Sequence, residues 1–273
     1  MKVDIVIWTK NGEEHLAEVL ERIAEVIPIE NIHRKILVDD GSTDKTVEIA
    51  KRLGWEIYTN PKGGIASGAN EALRHVDCEF FVSVEQDVVF ARDWWDKISP
   101  YMDNPQVAVA QGIRISTEPI LKKLEEYVYD RRKVGEWSID NNIFRTEVIR
   151  RLGGFPNDCP ICVDIILRKK LLRETSYKWI IDTSVVSDHI RRSAKESVTR
   201  SHWKQCTKTP FCSTGEERAS FLRMLKLFLT SPIRAFIIAY KKRCLKMLYV
   251  YPMIRYLWLK EYLVHLWKGS ERT

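Results

Sequence analysis

The sequence predicts an α/β fold, a mostly parallel sheet flanked by helices and followed by a C-terminal appendage of amphipathic helices. Three observations carry that reading. Apolar β-branched runs alternate with helix-period segments from Val3 onward, acidic and glycine residues stand at the ends of the strand-like runs, and the last fifty residues are basic with apolar positions at helical spacing. A chain of 273 residues, 45% hydrophobic and 30% charged, suffices for one such domain with an appendage and is too apolar to be disordered.

In order, Val3 to Trp8 reads as a strand, and Leu16, Val19, Leu20, Ile23 and Val26 line one helix face. Ile36 to Val38 is the next strand, with Val47, Ala50 and Leu53 on the following helix. Glu56 to Tyr58, then Ala69, Ala72, Leu73 and Val76, then Phe80 to Val84 repeat the alternation. Arg92 to Met102 follows as a helix whose Trp94 and Trp95 pack on the sheet. In a doubly wound sheet ligands sit at the carboxyl ends of strands, so chemistry is expected just after Trp8, Val38 and Val84.

Charge divides the chain at about residue 215, giving domains 1–215 and 216–273. Residues 218–268 hold eleven Lys or Arg against one acid, Glu261, so the tail exceeds the whole chain's formal charge of +7 and the remainder is slightly acidic. The basic residues alternate with Leu, Ile, Phe, Tyr and Trp rather than forming a polar stripe, which argues against nucleic acid and for an anionic membrane surface. Pro232 and Pro252 are expected to cut the tail into three helices. A dimer interface, or packing on the main domain, is the alternative use of these faces. No apolar run of 18 residues is present, and the N-terminus lacks a secretory h-region, so the expected place is the cytoplasm, peripherally at the inner face of the cell membrane.

Six cysteines in a cytosolic chain read as thiols; Cys159, Cys162, Cys206 and Cys212 are spaced too widely for a zinc ribbon. His15, His33 and His75 read as surface residues without partners.

Two places stand out chemically. Val38-Asp-Asp-Gly-Ser-Thr-Asp-Lys-Thr46 puts Asp39 and Asp40 at a strand end before a glycine turn and a capped helix. Glu85-Gln86-Asp87 puts two carboxylates at the end of the next strand but one, the oxygen donors that a hard divalent cation needs.

These motifs, in this order over about residues 1–190, resemble family 2 glycosyltransferases of the GT-A fold. Val3 to Asn11 resembles the opening strand and base-binding turn, Val38 to Thr46 the acidic-Gly-Ser-Thr-Asp signature, and Lys62 to Asn70 the Gly/Ala-rich segment that covers the donor. Glu85-Gln86-Asp87 stands where the family has Asp-x-Asp, Asn142 to Phe155 resembles the acceptor-side segment ending in Gly-Gly-Phe, and Val163-Asp164 stands where Glu-Asp carries the base.

The resemblance implies that Thr9, Lys10, Asn11, Asp39, Asp40, Lys62, Asn70 and Gln86 bind the nucleotide, with Asp39 accepting a base N–H. It implies that Asp87, with Glu85 and His189, holds Mg2+ or Mn2+, and that Asp164 is the base of an inverting transfer, with Asp158 as rival. The donor would be a UDP- or GDP-sugar, the acceptor a hydroxyl or phosphate, lipid-linked or on a saccharide. Glu85 and Val163 depart from the family pattern, so an inactive nucleotide-sugar-binding or membrane scaffold protein is the alternative function. A nucleotidyltransferase fits less well, because Thr9-Lys10-Asn11-Gly12 is a poor triphosphate loop.

Overall fold

The computed structural model describes residues 1–132, 137–157, 163–191 and 221–270. Asp158, Cys159, Cys162, His202, Cys206 and Cys212 lie outside them, so neither the rival base nor the cysteine reading has a described counterpart. Two compact units are present, one made of residues 1–115 and 132–190, the other of 116–131 and 191–273.

The first unit carries β1 (Val3–Thr9), α1 (Leu16–Val26), β2 (Ile32–Asp39), α2 (Thr46–Arg52), β3 (Glu56–Thr59), α3 (Ile65–Arg74), β4 (Phe80–Glu85), β5 (Val88–Val89), α4 (Trp94–Ile98) and most of β6 (Val107–Ser116). After α5 (Pro119–Arg132), most of which belongs to the second unit, come β7 (Asn142–Arg145), α6 (Thr146–Arg151), α7 (Val163–Glu174) and β8 (Lys178–His189). The strand order is β3-β2-β1-β4-β7-β6-β8-β5. Strands β3, β2, β1 and β4 run parallel, whereas β7 is antiparallel to β4 and β6, and β5 to β8.

The chain moves outward through β2 and β3, then crosses to the other side of β1 for β4. That reversal opens a crevice at the carboxyl end of β1, where Thr9 faces Asp39 across one strand pair and Trp8 faces Glu85 across the other. Alternation along β1 serves both faces: Val3, Ile5 and Ile7 join a core with α1 and Trp94, while Val6 and Trp8 join a second with α3, α6 and α7.

Three local expectations are corrected. The helix expected over Arg92 to Met102 stops at Ile98 and tightens to a 3-10 turn over Ser99–Asp103, because Pro100 has no N–H to continue the α ladder. His33 is not without a partner; its Nδ1 lies 2.8 Å from Oδ1 of the fully buried Asp4. His75 stacks on Tyr58 at 3.6 Å and meets Glu71 at 3.2 Å.

In the second unit, α8 (Phe221–Leu229), α9 (Ser231–Lys241) and α10 (Met247–Ser270) form the tail. Pro232 does open α9, but Pro252 lies inside α10 and does not divide it. The helix gives up one backbone hydrogen bond there and is held through it by buried Val250, Tyr251 and Ile254. The break falls earlier, at Arg243, whose φ is +47°. Helix α5 shares the tail's core: Ile120, Leu124 and Tyr127 pack with Ala235, Ile238, Ala239, Met247 and Tyr251, and Lys242 bridges to Asp130 at 2.7 Å. Among the described residues no helix is long and apolar enough to cross a membrane.

Candidate active site

A cleft of about 300 Å³ opens at the reversal point, lined by the exits of β1 and β4 and by the turn before α3: Trp8, Thr9, Lys10, Asp40, Asn60, Gly64, Ile65, Glu85, Gln86 and Asp87.

Gln86 closes the gap between the two parallel strands. Its Oε1 accepts from Thr9 Oγ1 at 2.5 Å and from the Lys10 amide at 2.8 Å, while its Nε2 donates to Lys10 O at 3.2 Å. The amide thus fixes the turn that the cleft is built on. Gly12 sits so close beneath it that a Cβ would come within 2.9 Å of Gln86 Oε1.

Asp39 is 8% exposed and organises the next turn. Its Oδ2 accepts from the amides of Gly41 and Ser42 at 3.1 and 3.0 Å, which the left-handed Gly41, at φ +75°, makes reachable. Its Oδ1 is buried and has no protein partner. A buried carboxylate oxygen without a donor costs free energy until a ligand N–H supplies one. Asp40 accepts from Lys10 Nζ at 3.4 Å and from the Gly64 amide at 3.3 Å, joining the β1 exit to the turn before α3.

Asn11 Oδ1 accepts from the Thr43 amide at 2.8 Å, so this side chain ties two loops together. Asn70 does not line the cleft: its Nδ2 donates to Phe155 O at 2.7 Å and its Oδ1 accepts from Phe155 N at 2.8 Å. Lys62 is exposed on the turn beside it.

At the other end, β5 pairs with β8 so that Val88 faces His189, and this brings His189 Nε2 within 3.4 Å of Asp87 Oδ2. One carboxylate and one imidazole nitrogen suit Mn2+ or Mg2+, which complete their shells with phosphate oxygens and water. Glu85 is drawn elsewhere, toward Arg114 Nη1 at 3.3 Å. The one three-residue cluster of closely spaced ligand atoms among the described residues is Asp4, His33 and Cys78, at the opposite end of the sheet.

Arg114 is a residue that sequence reasoning missed. It lies in β6, an almost wholly buried apolar strand, and forms a close ion pair with Asp140 as well as the contact with Glu85. Burial alone would weaken its charge, but the Asp140 and Glu85 carboxylates more than offset this and hold its pKa well above the usual value. A lone cation in so apolar a strand was the available signal, since it demands a carboxylate somewhere in the fold.

Asp164 opens α7, fixed in place by Val163, Leu167 and Leu171 in the core. Burial pushes its pKa up to about 6, against the Ile165 amide and the nearby Arg114, which pull it down; Asp140 adds to the rise. A carboxylate with that value is a stronger proton acceptor than an ordinary one and is still ionised at pH 7.

Similar folds occur in solved glycosyltransferases. A mannosyltransferase from Pyrobaculum calidifontis, described in complex with GDP-Man and Mn2+, is 18% identical with a TM-score of 0.68 over 98% of this chain and 87% of that one. Glucosyl-3-phosphoglycerate synthase from Mycobacterium tuberculosis, with Mn2+, UDP and phosphoglyceric acid, gives 15%, 0.58, 79% and 80% for the same quantities. TarS from S. aureus, residues 1–349 with UDP, gives 15%, 0.54, 100% and 92%. No curated protein sequence matches the chain significantly. The family model for glycosyl transferase family 2 matches residues 4–175, and with the sheet reversal, the acidic turn and the buried carboxylates all falling inside that span, the chain belongs to this family.

Proposed function

We propose that this glycosyltransferase moves a sugar from a UDP- or GDP-sugar to an acceptor hydroxyl with inversion, at the inner face of the cell membrane. The observation that carries the donor assignment is the buried, unpartnered Oδ1 of Asp39 beside the cleft, an acceptor matched to the imide-type N–H of uracil or guanine. Thr9, Lys10, Asn11, Asp40, Lys62 and Gln86 form or brace the nucleotide end; Asn70 contributes by holding Phe155.

Asp87 and His189, with Glu85 at the rim, are the residues that would hold Mg2+ or Mn2+, and such an ion supplies positive charge against the departing diphosphate. Asp164 takes the proton from the acceptor hydroxyl as that oxygen bonds to the anomeric carbon and the bond to the diphosphate breaks. A single displacement of this kind inverts the anomeric centre and needs no covalent enzyme intermediate. The site is tested by thermal shifts with UDP, GDP, dTDP and CMP, each with and without Mn2+. One diphosphate is expected to raise Tm only with the metal, and Asp87→Ala to remove that rise; a Tm indifferent to every nucleotide refutes the donor site.

The lipid-linked acceptor and membrane placement rest on the tail. Leu222, Leu229, Ile233, Phe236, Tyr240 and Leu245 are each more than 60% exposed, amid Arg223, Lys226, Arg234, Lys241, Arg243 and Lys246. Exposed apolar side chains interleaved with cations match an anionic headgroup layer. The protein is expected to sediment with phosphatidylglycerol vesicles and to be released by salt. Self-association without vesicle binding would assign these faces to a homo-oligomer.

A further inference from the structure

Four cations stand on α7 within ten residues of Asp164: Arg168, Lys169, Lys170 and Arg173. Lys170 donates to Leu152 O, Arg173 meets Glu174 at 3.2 Å, and Lys169 is also engaged. Arg168 differs. It makes no ion pair or hydrogen bond with any described residue; its guanidinium lies instead over the ring of Trp137, with Cζ 3.8 Å from the centroid. Burial weakens its charge, and no carboxylate among the described residues neutralises it.

The placement connects this cation to the reaction. Arg168 follows Asp164 by four residues, so the two share one flank of α7, about 6 Å apart along its axis. Trp137 precedes by three residues Asp140, whose charge Asp164 feels. The stacked pair therefore lies one helical turn from Asp164 and three residues from Asp140 in the chain. A guanidinium stacked on a ring through its flat face keeps its edge N–H groups available, in the fork that matches two oxygens of an oxyanion. It also immobilises a long side chain in advance, so less entropy is lost when an anion arrives.

We propose that Arg168, held on Trp137, binds a phosphate group of the acceptor, so that the sugar is transferred to an oxygen of that phosphate or to a hydroxyl beside it. This deepens the proposed transfer and rests on it through Asp164. The phosphate can come from a lipid phosphate or from a soluble phosphorylated molecule, and the chemistry at Arg168 is the same for both.

The test is calorimetric titration of the full chain with inorganic phosphate, farnesyl phosphate and farnesol, with and without the Mn2+–nucleotide that raises Tm. The two phosphates are expected to bind and farnesol not to. Arg168→Gln should weaken phosphate binding about tenfold or more, and Arg168→Lys, which keeps the charge and loses the fork, should fall between. Both variants should keep the wild-type Tm and nucleotide response, which separates failure at Arg168 from failure of the donor site. Farnesyl phosphate bound more than tenfold tighter than phosphate identifies a lipid acceptor, and comparable affinities a soluble one. Absence of phosphate binding, equal binding by Arg168→Gln, or farnesol binding as well as farnesyl phosphate overturns the proposal.

Discussion

Asp164→Asn is expected to lower turnover by about 10²- to 10⁴-fold, the usual contribution of a positioned general base, while leaving the Mn2+-dependent nucleotide response intact. The substitution keeps shape and removes only the ability to take a proton. Because burial raises the wild-type pKa to about 6, the rate should fall with slope one as pH drops through 6, and that acid limb should be missing from the residual activity of the variant. The same shift fixes the sign of a stability effect. In the unfolded chain Asp164 ionises near pH 4, so above about pH 6 the folded protein carries a buried charge at a cost on the order of 3 kcal/mol, absent below about pH 4. Asp164→Asn should therefore raise Tm at pH 7.5 and give no gain at pH 3.5. A variant that is inactive but no more stable at pH 7.5 would place the carboxylate in a better-solvated setting than its helix position indicates.

Arg114→Met is expected to destabilise the protein by about 3–5 kcal/mol, because it strands Asp140, 1% exposed, without its counterion. For a domain of this size that corresponds to a fall in Tm of roughly 10 °C. Asp140→Asn combined with Arg114→Met should recover much of the loss, since the double variant no longer leaves Asp140 charged and unpaired. A coupling near zero in this cycle would mean that water, rather than Arg114, compensates Asp140.

The parallel half of the sheet was legible because its signals agree: short apolar runs in β1, β2 and β4, helical spacing in α1 and α3, and Gly41 at the turn between. The antiparallel half was not. β5 is two residues long, and β8 alternates weakly because much of it is half exposed, so neither rises above loop composition. Helix α5 is charged at half of its positions, and its Ile120, Leu124 and Tyr127 gain meaning only when the tail packs on them. At the site, motif spacing brought Asp40, Gln86 and Asp87 to one cleft, with Asp39 beside Asp40 at the strand end, and Asp87 to His189. It did not reveal that Asn70 serves Phe155, or that Arg114 reaches Glu85, because side-chain pairing across strands far apart in the chain leaves no local pattern.

The two hydrogen bonds from Asn70 to Phe155 have a further implication. A Cβ at Gly154 would collide with Asn70 Oδ1, so the turn is closed around that amide, and Phe155 is seated among Trp8, Phe81 and Phe144. Asn70 is therefore a latch between α3 and the Gly-Gly-Phe turn, so a substitution at either end should be felt at the other.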